Sequence, residues 1–276
     1  MNRAKNTKKF LLIITGETFR CGPQGTRDRG SNESFDLQKI ATNSHLEFIS
    51  HIKNSYDIDC DIFTNIYELN EDWDNMFYSW YGDFIKYSLT NKTLLGEPAL
   101  HNKTLKYIKD VINKNEYEFM LFIRPDLYLK KYFFKVFNPK SEKITFAHVN
   151  EIEDPLGKSW HKTQNGFPAV NHQIFYVPNI FYNELVDFKL WHNHYSYELI
   201  VRNGIPKNNI DFFIHTYHSS STDVTWNPIF HQVGRNETNF WVDRKYRVDA
   251  TTHNTIISDD ETIYNDLLNN DFKENI

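Results

Sequence analysis

The sequence has few cysteines and no long hydrophobic run. Only Cys21 and Cys60 occur among the 276 residues, which excludes a disulfide framework and a cysteine-rich zinc site and favours a reducing compartment. The early apolar run at residues 10–14 is shorter than the ~7–15 residues of a signal-peptide core or the ~20 of a membrane helix. We therefore expect no transmembrane segment and a cytoplasmic location, which would be the host cytoplasm for a viral protein.

An excess of positive charge is also missing. The chain has 31 Lys and Arg against 36 Asp and Glu, so we expect no nucleic acid partner. Glycine (10) and proline (9) are sparse and mark no linker, which favours a single domain. Aromatic residues are abundant, with 22 Phe, 16 Tyr and 6 Trp, and their rings would suit a sugar or nucleotide ligand.

Apolar periodicity predicts strands that alternate with helices. Strands are predicted at residues 10–14, 58–64, 119–123, 144–149, 173–177 and 210–214, and helices at 36–52, 72–89, 99–114 and 195–203. Ser34 or Asp36 would cap the first helix. This order predicts an α/β fold with a mostly parallel, Rossmann-like sheet flanked by helices. In such sheets ligands bind beyond the carboxyl ends of the strands.

The loop after the first strand, residues 15–32, concentrates glycines and three arginines before a helix. Backbone N–H groups, a helix N-terminus and guanidinium groups together can cradle a diphosphate. The candidate donor-binding residues here are Thr15, Gly16, Glu17, Arg20 and Arg27. The alternative is an ordinary surface loop with hydrated arginines.

Arg124, Pro125 and Asp126 directly follow the apolar strand at residues 119–123. Proline cannot donate to a sheet ladder, so Arg124 and Asp126 should lie at the ligand edge of a central strand. A carboxylate there needs a partner, which would be a metal on a nucleotide diphosphate or Arg124 itself. A purely structural Arg–Asp pair is the alternative.

The Thr-Gly-Glu-x-x-Arg segment at residues 15–20 together with Arg-Pro-Asp resembles GT-A glycosyltransferases, in particular small enzymes of large DNA viruses and bacteria. The resemblance implies a GT-A-like domain that transfers a sugar from a nucleotide-sugar, a UDP-sugar above all, to a hydroxyl of a glycan. Residues 1–135 would bind the donor, residues 136–257 the acceptor, and 258–276 form an acidic C-terminal segment. Asp126 would bind Mn²⁺ or Mg²⁺, and Arg124 replaces the second carboxylate of the family's Asp-x-Asp motif.

The same resemblance assigns roles in the second half of the chain. Asn171 and His172 would contact the transferred sugar. Removal of the acceptor proton needs a base, for which Glu198 on a predicted helix, Glu151 and Asp154 are the candidates.

A late group of histidines and one arginine complete the predicted donor site. His215 or His218 would complete the metal shell, and Arg235 would close over the diphosphate. Residues 57–61 also have the literal Asp-x-Asp spacing. Because they begin a strand, they should lie at the sheet edge opposite the predicted site.

Two other functions fit the sequence. The late histidines with Asp126 or Asp211 could form a metal-dependent hydrolase, because such ligands leave a position for activated water. A non-catalytic carbohydrate-binding protein could instead use exposed aromatic residues: Trp73, Tyr78, Trp80 and Tyr81.

Overall fold

The computed structural model describes residues 8–21, 28–150, 169–170, 173–187, 205–214, 217–218 and 229–233. The strands of this part are, in chain order, β1 (Lys9–Gly16), β2 (Arg20–Cys21), β3 (Asp28–Arg29), β4 (Asp59–Tyr67), β5 (Ile85–Asn91), β6 (Phe119–Ile123), β7 (Leu127–Leu129), β8 (Ile144–Phe146), β9 (Val149–Asn150), β10 (Ala169–Val170), β11 (Ile174–Pro178), β12 (Ile210–Phe212), β13 (Tyr217–His218) and β14 (Phe230–Gln232). The α-helices are α1 (Asn32–Tyr56), α2 (Glu71–Tyr81), α3 (Glu97–Val111), α4 (Lys131–Val136) and α5 (Tyr182–Val186).

A seven-stranded sheet with the order β12-β8-β11-β6-β1-β4-β5 forms the centre of the described part. Strand β11 is antiparallel to β6 and β8, and the other neighbouring strands are parallel. Residues 10–14 of β1 are fully buried, because helices cover both faces of the sheet. The predicted fold class, a mostly parallel sheet flanked by helices in a single domain, is confirmed.

The two faces of the sheet bury different helices. Phe10, Leu12 and Ile14 pack with residues of α1, α2 and α4, whereas Leu11 and Ile13 pack with α3 and α5. The chain passes from β1 through α1 to β4 on one side, and α3 later returns it to β6 on the other side of β1. The carboxyl ends of β1 and β6 therefore border a topological switch point, where open α/β sheets bind their ligands.

Two predicted elements are corrected. The helix predicted for residues 72–89 ends at Tyr81, because Gly82 adopts a φ of +54° and β5 follows with alternating half-buried and exposed side chains. Helix α1 begins at Asn32, and its N-cap is Ser31, whose hydroxyl accepts a hydrogen bond from the Ser34 amide at 3.2 Å.

The predicted helix at residues 195–203 and the C-terminal segment 258–276 lie outside the described residues. In the described ranges no helix has both the length and the apolarity that a membrane crossing requires.

Candidate functional site

The turns after β1 and β6 touch at the switch point. Gly16, the last residue of β1, has a φ of +137°, a conformation that favours glycine. A Cβ atom there would lie 3.1 Å from Cδ of Pro125, so the missing side chain also permits the close approach of the β6 turn. Thr15 is half-buried at the end of β1 and lies in register with Asn65 of β4. The predicted loop and the Arg-Pro-Asp turn therefore form one surface.

Arg124 and Asp126 form a bidentate ion pair in the β6 turn. Nε of Arg124 donates to Oδ1 of Asp126 at 2.9 Å, and Nη2 donates to Oδ2 at 2.8 Å. The Arg124 side chain is 25% exposed, whereas that of Asp126 is 2% exposed. Such fork geometry fixes the plane of the guanidinium group, so Asp126 holds Arg124 in one orientation at the rim of the site.

Further donors surround the Asp126 carboxylate. Nε2 of Gln232 donates to Oδ2 at 2.7 Å, and Nε2 of Gln173 donates to Oε1 of Gln232 at 3.4 Å. Burial alone would raise the pKa of Asp126, but Arg124, the Gln232 hydrogen bond and the charge of Arg20 hold it below its ordinary value. Asp126 is therefore ionised at neutral pH despite its burial.

Arg20 and Glu17 form a second buried pair in the β1 loop. Nε of Arg20 lies 3.7 Å from Oε2 of Glu17, and both side chains are less than a tenth exposed. Arg29 instead binds backbone: Nε donates to the Thr18 carbonyl at 3.1 Å and Nη2 to the Tyr67 carbonyl at 3.0 Å. Arg29 thus braces the loop, whereas Arg20 contributes its charge beside Asp126.

The N-terminus of α1 lies at the same edge of the sheet, since the helix directly follows the β1 loop. Oγ of Ser31, the N-cap residue of α1, lies 3.3 Å from Sγ of Cys21. The unpaired N–H groups of a helix N-terminus carry partial positive charge. The contact of Ser31 with Cys21, the neighbour of Arg20, therefore ties the N-terminus of α1 to the loop that carries Arg20.

A divalent metal does not fit the described arrangement of Asp126. Both carboxylate oxygens accept from Arg124, and Oδ2 also accepts from Gln232. Among the residues that the structure describes, no three His, Cys, Asp or Glu side chains are grouped so as to hold a metal ion. Metal binding by Asp126 would require Arg124 to give up its hydrogen bonds, so no chemical step is assigned to a metal here.

The structure brings together Thr15, Gly16, Glu17, Arg20, Arg124 and Asp126 from the predicted set. The other predicted site residues lie outside the described part of the chain: Arg27, Glu151, Asp154, Asn171, His172, Glu198, His215 and Arg235. His218 lies in β13, which pairs in parallel with β9, and its side chain is not described. Roles for these residues stay predictions.

The Asp-rich segment lies at the opposite edge of the sheet, as expected, because β4 begins at Asp59. Asp61 accepts a hydrogen bond from Nζ of Lys9 at 3.1 Å and one from the Tyr117 hydroxyl at 2.8 Å. Burial raises the pKa of Asp61, but these hydrogen bonds and Lys86 lower it more. The pKa of Asp61 therefore lies below its ordinary value. Asp61 therefore stabilises the fold.

The aromatic residues considered for a carbohydrate-binding function all lie on α2. Tyr81 is buried, and the Tyr78 hydroxyl lies 3.0 Å from Oγ1 of Thr90. Trp73 and Trp80 are half-buried against Phe19, with ring centroids 4.8 and 5.7 Å from it. These four aromatic residues pack against other rings, namely Phe19, Phe35 and Phe77.

Sequence reasoning missed several polar residues of the site, above all Gln38, His45 and Gln232. Gln38 and His45 are buried on α1, where Nε2 of Gln38 donates to the Pro125 carbonyl at 2.8 Å. A polar residue on the buried face of an amphipathic helix indicates a tertiary partner. That signal was present at Gln38 and His45, but it does not say which segment the partner belongs to.

No protein-family model matches the chain, and no curated protein matches it significantly. Solved structures of similar topology include 4-diphosphocytidyl-2C-methyl-D-erythritol synthase from Anaerococcus prevotii DSM 20548, with 14% identity over 76% of this chain and 88% of that chain and a TM-score of 0.43.

Two glycosyltransferases are also among the matching structures. A glycosyltransferase involved in the glycosylation of the major capsid of PBCV-1 is 12% identical. The match covers 77% of this chain and 82% of that chain, with a TM-score of 0.32. The catalytic domain of Drosophila beta1,4galactosyltransferase 7 has 11% identity, corresponding coverages of 91% and 82%, and a TM-score of 0.39.

Proposed function

We propose that the protein is a glycosyltransferase that moves a sugar from a nucleotide-sugar, a UDP-sugar by preference, to a hydroxyl of a glycan. The observation that carries the proposal is the guanidinium group of Arg124 at the end of β6, which is a quarter exposed and is held by the buried carboxylate of Asp126, with the charge of Arg20 acting on the same carboxylate. Arg124 lies at the switch point, where a diphosphate would also meet the N-terminus of α1.

The arginines would act on the leaving group. In the transfer, the acceptor hydroxyl oxygen bonds to the anomeric carbon while the bond from that carbon to the diphosphate oxygen breaks. The diphosphate leaves with the electron pair, and positive charge held in place beforehand lowers the barrier. Arg124, oriented by Asp126 and a quarter exposed, is the residue we assign to that charge.

The remaining chemistry belongs to residues of the second half. We propose that Glu198, Glu151 or Asp154 accepts the acceptor proton, and that Asn171 and His172 contact the sugar. Arg27 and Arg235 would add to the diphosphate site. The metal site predicted from the sequence, Asp126 with His215 or His218, is not part of this mechanism, because Arg124 and Gln232 already occupy the oxygens of Asp126.

The experiment is a turnover assay with a panel of UDP- and GDP-sugars, in which release of the free nucleotide is measured with and without a glycan acceptor and Mn²⁺. Acceptor-dependent release by the wild type that falls at least about tenfold in Arg124→Lys is expected, since lysine cannot keep the bidentate geometry. Lys109→Met, which removes an exposed surface charge paired with Asp187, is the control and should leave turnover unchanged. Release of the free nucleotide at the same rate with and without the acceptor would indicate a hydrolase.

A further inference from the structure

Helix α1 directs three buried polar side chains at the segment that follows β6. Nε2 of Gln38 donates to the Pro125 carbonyl at 2.8 Å, and Nε2 of His45 donates to the Leu127 carbonyl at 2.7 Å. Oγ of Ser44 accepts from the Leu129 amide at 2.9 Å. All three side chains are at most 2% exposed, so each hydrogen bond is shielded from water.

Gln38 differs from the other two because it also binds the β1 loop. Its Oε1 accepts a hydrogen bond from the Phe19 amide at 3.0 Å. Phe19 has a φ of +51°, a conformation that residues other than glycine rarely adopt, so this hydrogen bond stabilises a strained turn. The Gln38 amide thus joins the two turns that carry the arginines of the site.

The chemistry of these partners demands a group that both accepts and donates. The Phe19 N–H can only donate and the Pro125 carbonyl can only accept, so the group between them must offer one acceptor and one donor. Phe19 directly precedes Arg20, and Pro125 directly follows Arg124. The bridge therefore acts on the backbone directly next to both arginines.

We infer that Gln38 is a positioning residue that sets the spacing of Arg20 and Arg124, and through it the affinity of the site for a nucleoside diphosphate. The inference rests on the proposed function for its ligand, although the bridge itself can be tested without one. Gln38 need not touch the ligand for this role.

The first test uses Gln38→Glu, which preserves shape and makes the bridge depend on protonation. A protonated carboxyl group can accept from Phe19 and donate to Pro125, whereas a carboxylate has no donor and faces a carbonyl. Charged or titratable groups around it are Glu17 and Arg20 on the β1 side, Arg124 and Asp126 on the β6 side, and His45 on α1. Because these groups also titrate in the wild type, each affinity is expressed relative to the wild type at the same pH.

UDP binding is then measured by calorimetry at about pH 8 and about pH 5, on either side of the expected protonation of a buried glutamate. We expect Gln38→Glu to bind about tenfold more weakly than the wild type at the higher pH and to recover at the lower pH. Gln38→Met, which has neither donor nor acceptor at this position, should bind weakly at both. Ser44→Ala is the matched control on the same helix and should bind like the wild type.

The second test measures the effect of the Gln38 hydrogen bonds in the ligand-free protein, by amide hydrogen exchange resolved at single residues. In Gln38→Met the Phe19 amide, which loses its acceptor, should exchange faster, and so should the Leu127 amide, which closes the Pro125 turn by donating to the Arg124 carbonyl at 3.4 Å. Ser44→Ala should affect the Leu129 amide alone. Unchanged exchange at Phe19 and Leu127 would overturn the inference, whether or not a nucleotide binds. If the wild type binds no nucleotide while both amides respond, the proposed function fails and the bridge stands. If nucleotide binds equally to all variants at both pH values, the positioning role is wrong.

Discussion

A single buried carboxylate, Asp126, organises the candidate site at the scale of residues. Its burial is tolerated because Arg124 and Gln232 occupy its oxygens with short hydrogen bonds. The sequence left two interpretations of Asp126 open, a metal ligand and a partner of Arg124. In the described structure it is the partner of Arg124.

Asp126→Ala should be strongly destabilising, because it leaves the Arg124 guanidinium group and the Gln232 amide without their acceptor. Removing one partner of a buried ion pair costs about 3–5 kcal/mol of unfolding free energy. Urea unfolding at neutral pH measures the loss. Asp187→Ala, which breaks the exposed pair with Lys109, is the control and should change stability little. A comparable effect of the two substitutions would contradict the account of Asp126.

His45 predicts a pH dependence of stability. Burial lowers the pKa of His45 to about 4, against the Leu127 hydrogen bond and the charge of Asp126, which raise it. Between that value and the ordinary pKa of about 6.5 the unfolded chain binds more protons than the folded one. The unfolding free energy should therefore fall by about 3 kcal/mol as the pH drops through this window.

Urea unfolding over this pH range measures the effect, with His45→Gln as the comparison. Glutamine can still donate to the Leu127 carbonyl and accept from the Tyr81 hydroxyl, but it does not titrate. The stability that Asp126 contributes falls only below its unfolded pKa of about 4, since its folded pKa is lowered. The two effects are thus separated in pH, and an equally steep slope in His45→Gln would contradict the prediction.

At the scale of elements, the site depends on how closely the ends of β1 and β6 approach each other. The long buried runs of these strands made both predictable, because a strand covered on both faces reads as an unbroken apolar stretch. Strand β5 was not predicted, because its residues were included in the helix predicted for residues 72–89. Its side chains alternate between half-buried and exposed, and only Gly82 marks the end of α2. The polar contacts of α1 could not be predicted either, because Gln38 lies 87 positions from Pro125 in sequence.

Gly16→Ala should weaken both the fold and the site. The added Cβ would lie 3.1 Å from Pro125 at a strained φ, which costs about 1–3 kcal/mol and pushes the two turns apart. Gly82→Ala is the matched control, because Gly82 also has a positive φ but no atom lies within 4 Å of its added Cβ. We expect both variants to be less stable by thermal unfolding, but only Gly16→Ala to bind UDP more weakly. Equal UDP affinities would show that the close approach of the turns is irrelevant to binding.

At the scale of the whole molecule, the return of the chain through α3 to β6 creates the switch point between β1 and β6. The alternation of strands and helices predicted the sheet, and the general rule for open sheets pointed to the edge at which Arg124 and Asp126 lie. The sequence could not reveal that Gln232 of β14, 106 positions from Asp126, would close over that carboxylate. Contacts of this range depend on the assembled fold rather than on local pattern.

A diphosphate site at the ends of β1 and β6 can be tested by calorimetric titration of UDP and GDP into the wild type and Arg124→Lys, each with and without Mn²⁺. We expect the wild type to bind one of the two nucleotides and Arg124→Lys to bind it at least about tenfold more weakly, a loss of about 1.4 kcal/mol. Binding that requires Mn²⁺ would extend the site to a metal, and binding without it would leave the charge to the arginines. Failure of both nucleotides to bind, or an affinity that Arg124→Lys leaves unchanged, would contradict a diphosphate site at the ends of β1 and β6.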